Sequence, residues 1–266
     1  MTGVIGPKNR TTLLKSMMKT KMWLVAASMA LLIGSAFVMT RESLSAHPDG
    51  PQVVRIGAMT VERAAHQATL LESGQVLITG GCGGRGCHTV HTSAELYDPV
   101  KRSFQATAAM ITPRVSHAAI ALSDGRVLVA GGWSGRSATA GAEIYDPAAS
   151  RWTSVGDMSV PRMSPIAVSL PDGRVLMIGG EVTTGAPLSS AEVFDPTTST
   201  FSAVGPMQTP RGSHVAVSLA DGRVLVTGGH RARGEILRSA EIFDPATRKF
   251  RPTGNMGVPR HKHAAG

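Results

Sequence analysis

Across 266 residues the chain has only two cysteines, Cys82 and Cys87. That excludes a disulfide framework as the source of stability, so a hydrophobic core must supply it. Aromatic side chains are equally scarce, with 3 Trp, 2 Tyr and 6 Phe. No Gly-x-x-x-x-Gly-Lys-Ser/Thr loop, Gly-x-Ser-x-Gly elbow or His-Glu-x-x-His pair occurs, which removes P-loop phosphate binding, the hydrolase elbow and the zincin helix. A concentrated basic face is missing too. The net charge of +9 divides into a surplus of five over residues 1–46 and only +4 over the remaining 220, too mild for a nucleic-acid surface.

The amino-terminal charge belongs to a different pattern. A basic region, residues 1–21, precedes Met22–Met39, MWLVAASMALLIGSAFVM, which holds no ionisable side chain. Residues 22–46 therefore read as an export signal, with a retained membrane anchor through residues 22–39 as the alternative. Either version places residues 47–266 outside the cytoplasm, secreted, periplasmic or membrane-anchored, where a disulfide persists.

Glycine and proline, 30 and 16 residues, mark an internal repeat. LESGQVLITGG (71–81), LSDGRVLVAGG (122–132), LPDGRVLMIGG (170–180) and LADGRVLVTGG (219–229) align, each followed by Ala-Glu-x-Tyr/Phe-Asp-Pro. Arginines at 63, 114, 162, 211 and 260 set the period at 51, 48, 49 and 49 residues. Seven residues always separate paired aromatics: Tyr97 and Phe104, Tyr145 and Trp152, Phe194 and Phe201, Phe243 and Phe250. The repeats run over about 60–109, 110–157, 158–206 and 207–255, with a partial repeat at 256–266.

Each repeat reads as four strands: a small apolar one (Val115–Leu122), a two-residue Asp-Gly hairpin, a buried Val-Leu-Val strand (Arg126–Ala130), a third over Ala142–Tyr145, and a fourth with Trp152. Four strands per roughly 50 residues imply an all-β propeller of four-stranded blades. Met59 and Arg63 match the end of a further repeat with its fourth strand near Gln52–Ile56, so the blades read as part of a larger, incomplete propeller.

The diglycine, the aromatic pair and the DGRVL…GG…AE…DP wording resemble the kelch repeat of bacterial secreted proteins, also found in the propeller of galactose oxidase. That resemblance covers about residues 52–266 and implies a module binding a protein or polysaccharide, without a cofactor. Its alternative is a carbohydrate-active enzyme of the galactose-oxidase or sugar-mutarotase kind. Copper would belong only to the oxidase, whose centre needs two tyrosines, one cross-linked to cysteine, and two histidines, whereas Tyr97 and Tyr145 both fall on repeat positions.

The recurring Arg-x-x-His (Arg63/His66, Arg114/His117, Arg211/His214, Arg260/His263, with Pro165 after Arg162) could ring an anion. Repetition in each blade favours instead a pairing with the recurring Glu95, Glu143, Glu192 and Glu241 that holds blades together. Unlike residues collect only in the stretch after each diglycine: Arg85 and His88, Trp133 and Arg136, Glu181, then His230 and Arg231. These are the expected ligand contacts, on one face of the propeller. Cys82 and Cys87 fall in the longest such loop, where an expected disulfide competes with free thiols and with a zinc site including His88 and His91.

Overall fold

The computed structural model describes residues 56–264, which form four four-stranded antiparallel sheets and one two-stranded ribbon. The expected basic region and export segment lie outside the described residues, as does the expected remnant strand apart from Ile56. Among the described residues no helix is long and apolar enough to cross a membrane.

Blade one comprises β1 (Gln67–Leu70), β2 (Val76–Thr79), β5 (Ala94–Asp98) and β6 (Ser103–Thr107), with the ribbon β3 (Cys82–Gly83) and β4 (Thr89–Val90) inserted after β2. Blade two is β7 (Ala118–Ala121), β8 (Val127–Ala130), β9 (Ala142–Asp146) and β10 (Arg151–Val155). Blade three is β11 (Ile166–Ser169), β12 (Val175–Ile178), β13 (Ala191–Asp195) and β14 (Thr200–Ala203). Blade four is β15 (Val215–Ser218), β16 (Val224–Thr227), β17 (Ala240–Asp244) and β18 (Lys249–Thr253). The innermost strands β1, β7, β11 and β15 neighbour one another in that order.

The hairpin between the first two strands differs from the expected two-residue turn. Leu122 N–H donates to Arg126 O and Gly125 N–H to Leu122 O, which encloses three residues, Ser-Asp-Gly. Only the glycine takes a positive φ (Gly125, 83°), giving a type I turn with a glycine bulge. Asp124 instead uses its carboxylate, which accepts the Arg126 N–H and ion-pairs with its guanidinium at 2.6 Å. Asp172–Arg174 and Asp221–Arg223 repeat this pair.

The Asp-Pro turn before the fourth strand is built on another carboxylate: Asp146 Oδ1 accepts the N–H groups of Ala148 and Ala149. It ends on Ser150 at φ 47°, a left-handed conformation that costs a side-chain-bearing residue about 1–2 kcal/mol. Ser150 is exposed, so Ser150→Gly relieves that cost without losing a contact, offset in part by the added freedom of the unfolded chain. The expected result is a gain of up to about 1 kcal/mol, measured by urea unfolding.

Each blade packs its leading face on the trailing face of the next. Leu71, Leu77 and Ala94 of blade one meet Val127, Val129, Tyr145 and Trp152 of blade two. Leu122, Leu128 and Ile144 meet Val175, Met177 and Phe194, and Leu170, Leu176 and Val193 meet Val224, Val226, Phe243 and Phe250. The seven-residue aromatic spacing is explained by register: Tyr145 lies opposite Trp152 across β9 and β10, with ring centroids 4.9 Å apart, and all four pairs share this arrangement. Gly57 N–H donates to Arg102 O as Gly156 does to Ser199 O and Gly205 to Arg248 O. Residues 57–59 therefore sit as the end of a preceding repeat, as their spacing predicts.

Candidate functional site

The recurring charged residues are framework. Arg114, Arg162 and Arg211 are fully buried and ion-pair with Glu143, Glu192 and Glu241 at 2.8–3.1 Å, and Arg63 pairs with Glu95 at 2.9 Å. In each, Nη1 also donates to two carbonyls, the first glycine of the diglycine and the residue before Ala-Glu: Gly131 and Gly141 for Arg114, Gly179 and Ser190 for Arg162. The guanidinium fork thus ties the second strand to the third. The glutamate then takes backbone N–H groups of the incoming connection, Ile111 and Thr112 for Glu143, Gln208 and Thr209 for Glu241. Contrary to a pairing between blades, each ion pair lies within one blade and anchors the link arriving from the previous one.

The histidines do bridge blades. His117 Nε2 and Thr79 Oγ1 are 2.8 Å apart, and His263 Nε2 and Thr227 Oγ1 2.9 Å. Where the preceding blade offers Ala130 in place of threonine, the histidine is replaced by Pro165. His214 faces blade three, where that strand position is Ile178, and neither of its ring nitrogens has a partner. Burial, then the nearby arginine, holds both His117 and His214 neutral, with pKa values lowered to about 3.

The diglycine bends the chain against this framework. A side chain on Gly131 would meet Arg162 O at 2.6 Å, and one on Gly180 would run into Met163 O, so only bare backbone fits. The residue that follows occupies an equivalent place in every blade: Cys82, Trp133, Glu181 and His230. Each is bridged on one side to the residue after the framework arginine (Ala64, Val115, Met163, Gly212) and on the other to the returning strand (Val90, Ala138, Pro187, Ile236). The expected loops are thus short ribbons, with a single 3-10 turn at Ala232–Gly234 in blade four.

Neighbouring ribbons touch, so the unlike residues share one surface. Gly135 lies against Val90, and Ala138 N–H donates to Thr183 Oγ1 at 3.0 Å. Glu181 Oε1 and His230 Nε2 are 3.6 Å apart across the junction of blades three and four. Gly212, the residue that sequence reasoning missed, makes room for them, since a Cβ there would stand 2.5 Å from Glu181 Oε1 and 2.8 Å from His230 Cε1. Only its smallness against Ala64, Val115 and Met163 at the matching position could have signalled it.

Trp133, Glu181 and His230 are half-buried. Arg85, His88 and Arg136 are exposed and make no hydrogen bond or ion pair among the described residues, while Arg231 pairs with Glu235 at 2.6 Å. Thr184, Pro187, His230, Arg231 and Arg233 line an open groove of about 330 Å³ between the last two ribbons. Cys82 and Cys87 are joined as a disulfide, Cα atoms 5.1 Å apart, which closes the turn around Gly84 and Gly86. His91 is occupied elsewhere, 3.2 Å from Glu62 O.

The tyrosines and cysteines do not fit a copper–radical centre. Tyr145 is buried between blades one and two, bonded to Thr107 Oγ1 at 2.7 Å, and Tyr97 stacks on Phe104 in another sheet. Both cysteines are committed to each other, so none remains to cross-link a tyrosine.

Sheets stacked leading face to trailing face, each closed by an Arg–Glu clamp, with varied ribbons along one rim, define a kelch-type β-propeller. The kelch motif model matches residues 114–159, 162–208 and 211–257, over half the chain, and the chain belongs to the kelch-repeat family. The first blade lies outside those matches although its strands are the same. It carries Ser-Gly-Gln where the others have Asp-Gly-Arg, so a Ser73–Gln75 contact replaces the turn ion pair. A solved structure titled "Structure of YjhT" is similar in fold, with TM-score 0.64 and 14% identity over 75% of this chain and 73% of that one. No curated protein matches the chain.

Proposed function

We propose that this chain is an exported, non-catalytic binding scaffold that captures a protein or polysaccharide on the ribbon rim. The observation that carries this reading is the set Cys82, Trp133, Glu181 and His230, four different chemistries at one structural position on adjacent, touching ribbons. The repeated residues, by contrast, are spent on one another. Trp133 offers an apolar plane, and Arg85, His88, Arg136 and Arg231, on the ribbons of blades one, two and four, offer donors along the same rim, a combination suited to sugar rings or a peptide surface. The disulfide and the amino-terminal apolar run support export.

Immobilised neutral and acidic polysaccharides and a panel of extracytoplasmic proteins test this. Trp133→Ala is expected to weaken retention of the captured ligand at least tenfold while leaving the unfolding transition cooperative. Equal retention by the variant contradicts the reading.

The Glu181–His230 pair favours a second reading, proton transfer on a sugar in the manner of a mutarotase, because one of the two groups can take the anomeric hydroxyl proton while the other, protonated, gives one to the ring oxygen as the ring opens, and the roles reverse on closure. In that case Glu181→Gln abolishes catalysed anomer exchange, read by NMR, but spares binding.

A further inference from the structure

The ribbon rim carries positive charge that its own carboxylates do not balance. In the ribbons of blades two, three and four, residues 133–139, 181–188 and 230–237, the charged side chains besides His230 are Arg136, Arg231, Arg233, Glu181 and Glu235. Both glutamates are engaged: Glu181 faces His230 at 3.6 Å, and one carboxylate oxygen of Glu235 takes Arg231 Nε at 2.7 Å and Nη2 at 2.6 Å. Arg136 and Arg233 are exposed and meet no acceptor among the described residues, and Arg231 keeps Nη1 uncommitted. At the other end of the same strands the arginines are matched, since Arg126, Arg174 and Arg223 each close on an aspartate two residues before. The unmatched charge gathers in the groove of about 330 Å³ between the ribbons of blades three and four, with His230, Arg231 and Arg233 on one wall, Thr184 and Pro187 on the other, and no carboxylate in the lining. Arg233 holds the tip of its 3-10 turn at φ 65°, a left-handed conformation that glycine adopts more readily, so an arginine stands there against the backbone preference.

Given the binding role put forward above, on which this rests, we infer that the groove and the adjoining ribbon of blade two take an acidic polysaccharide, a polymer whose anionic groups recur along its length. A guanidinium fork meets the oxygens of a carboxylate or a sulfate ester two at a time. One such pair in water contributes little, so a single acidic sugar is held weakly. A polymer that meets Arg231 and Arg233 in the groove and Arg136 farther along gains from the contacts together. The two stretches adjoin, because Thr183, next to Thr184 of the groove wall, accepts the N–H of Ala138 in the ribbon that carries Arg136 and Trp133. An acidic peptide fits less well. Peptide partners are held by bulky apolar anchors in desolvated pockets, whereas the apolar lining of this open groove is only Ala186, Pro187 and Ala232. Sugar hydroxyls need no such pocket, and Thr184 and the backbone of both ribbons supply partners for them, with Trp133 on the next ribbon as a plane for a ring.

Retention of the full chain, in detergent if the apolar segment is retained, on immobilised dextran sulfate, polygalacturonate, dextran and poly-glutamate tests this. Wild type is expected to bind dextran sulfate or polygalacturonate at least tenfold more tightly than dextran or poly-glutamate, and the tighter of the two acidic polymers tells sulfate ester from carboxylate as the group recognised. That binding should fall at least tenfold between about 0.05 and 0.5 M NaCl. The double variant Arg231→Gln/Arg233→Gln, at two exposed positions, is expected to lose at least tenfold in affinity with its urea transition still cooperative. Arg151→Gln, exposed on the outer strand β10, leaves binding unchanged. Equal affinity for dextran, retention on poly-glutamate as tight as on the acidic polysaccharides, or undiminished binding by the double variant, as when basic residues 1–21 carry it, overturns the inference. If the acidic polymers are ignored while a neutral polysaccharide or a protein is retained through Trp133, this inference fails and the scaffold reading stands. Retention of nothing at all contradicts both.

Discussion

Arg162→Met is expected to destabilise the protein by about 3–5 kcal/mol, a large share of a domain's total stability. Arg162 is completely buried, and its removal strands three kinds of partner at once. Glu192 loses its counter-charge at 2.8 Å, the carbonyls of Gly179 and Ser190 lose their donor, and Ser190 Oγ loses a contact at 3.1 Å. Methionine fills much of the volume, so the loss reports charge and hydrogen bonding rather than a cavity. Most of it is the cost of leaving a carboxylate buried and unpaired. Arg162→Met/Glu192→Gln should therefore recover part of the stability, since glutamine keeps an acceptor for Ser159 N–H at no cost in charge. Urea unfolding of the two variants and wild type checks both statements.

Acidification should destabilise the protein through its buried histidines. His117 and His214 are neutral in the folded state with pKa values of about 3, against 6.5 for an exposed histidine. Above pH 6.5 neither state binds the extra proton, and the histidines leave stability unchanged. Between pH 6.5 and 3 the unfolded chain takes up protons that the folded chain refuses, so stability falls as pH falls. Well inside that window each histidine contributes a slope of about 1.4 kcal/mol per pH unit. His214 makes no hydrogen bond through its ring, so His214→Leu should remove its share of the slope with little loss at pH 7.5. His117→Leu should remove a similar share but also cost about 1–2 kcal/mol at pH 7.5, because Thr79 Oγ1 is left buried without its partner. Urea midpoints between pH 4 and 8 measure both.

Much of the fold was legible because a repeat reports each position four times. The aromatic spacing of seven follows from a hairpin register that every blade shares, and the arginine and glutamate positions pair as their recurrence implied. The shape of the Asp-Gly turn was not legible, because the local pair Asp124–Arg126 selects a three-residue loop that the dipeptide alone leaves open. Nor did sequence tell that the ion pairs stay within blades while the histidines cross between them. That distinction depends on which strand carries Thr79, Ala130, Ile178 or Thr227 toward the next blade. For the rim, the residue types were visible as departures from the repeat, whereas the approach of Glu181 to His230 depends on Gly212, 31 residues away in sequence from Glu181.

The central claim is a division of labour: the repeated Arg, His and Glu residues hold the blades, and the unlike residues after each diglycine are free to meet a ligand. Urea unfolding of Trp133→Ala beside Arg162→Met tests it most directly. The division predicts a loss of no more than about 1.5 kcal/mol for the half-buried tryptophan and at least twice that for the arginine. A tryptophan variant that unfolds as readily as the arginine variant would make Trp133 part of the framework and contradict the claim.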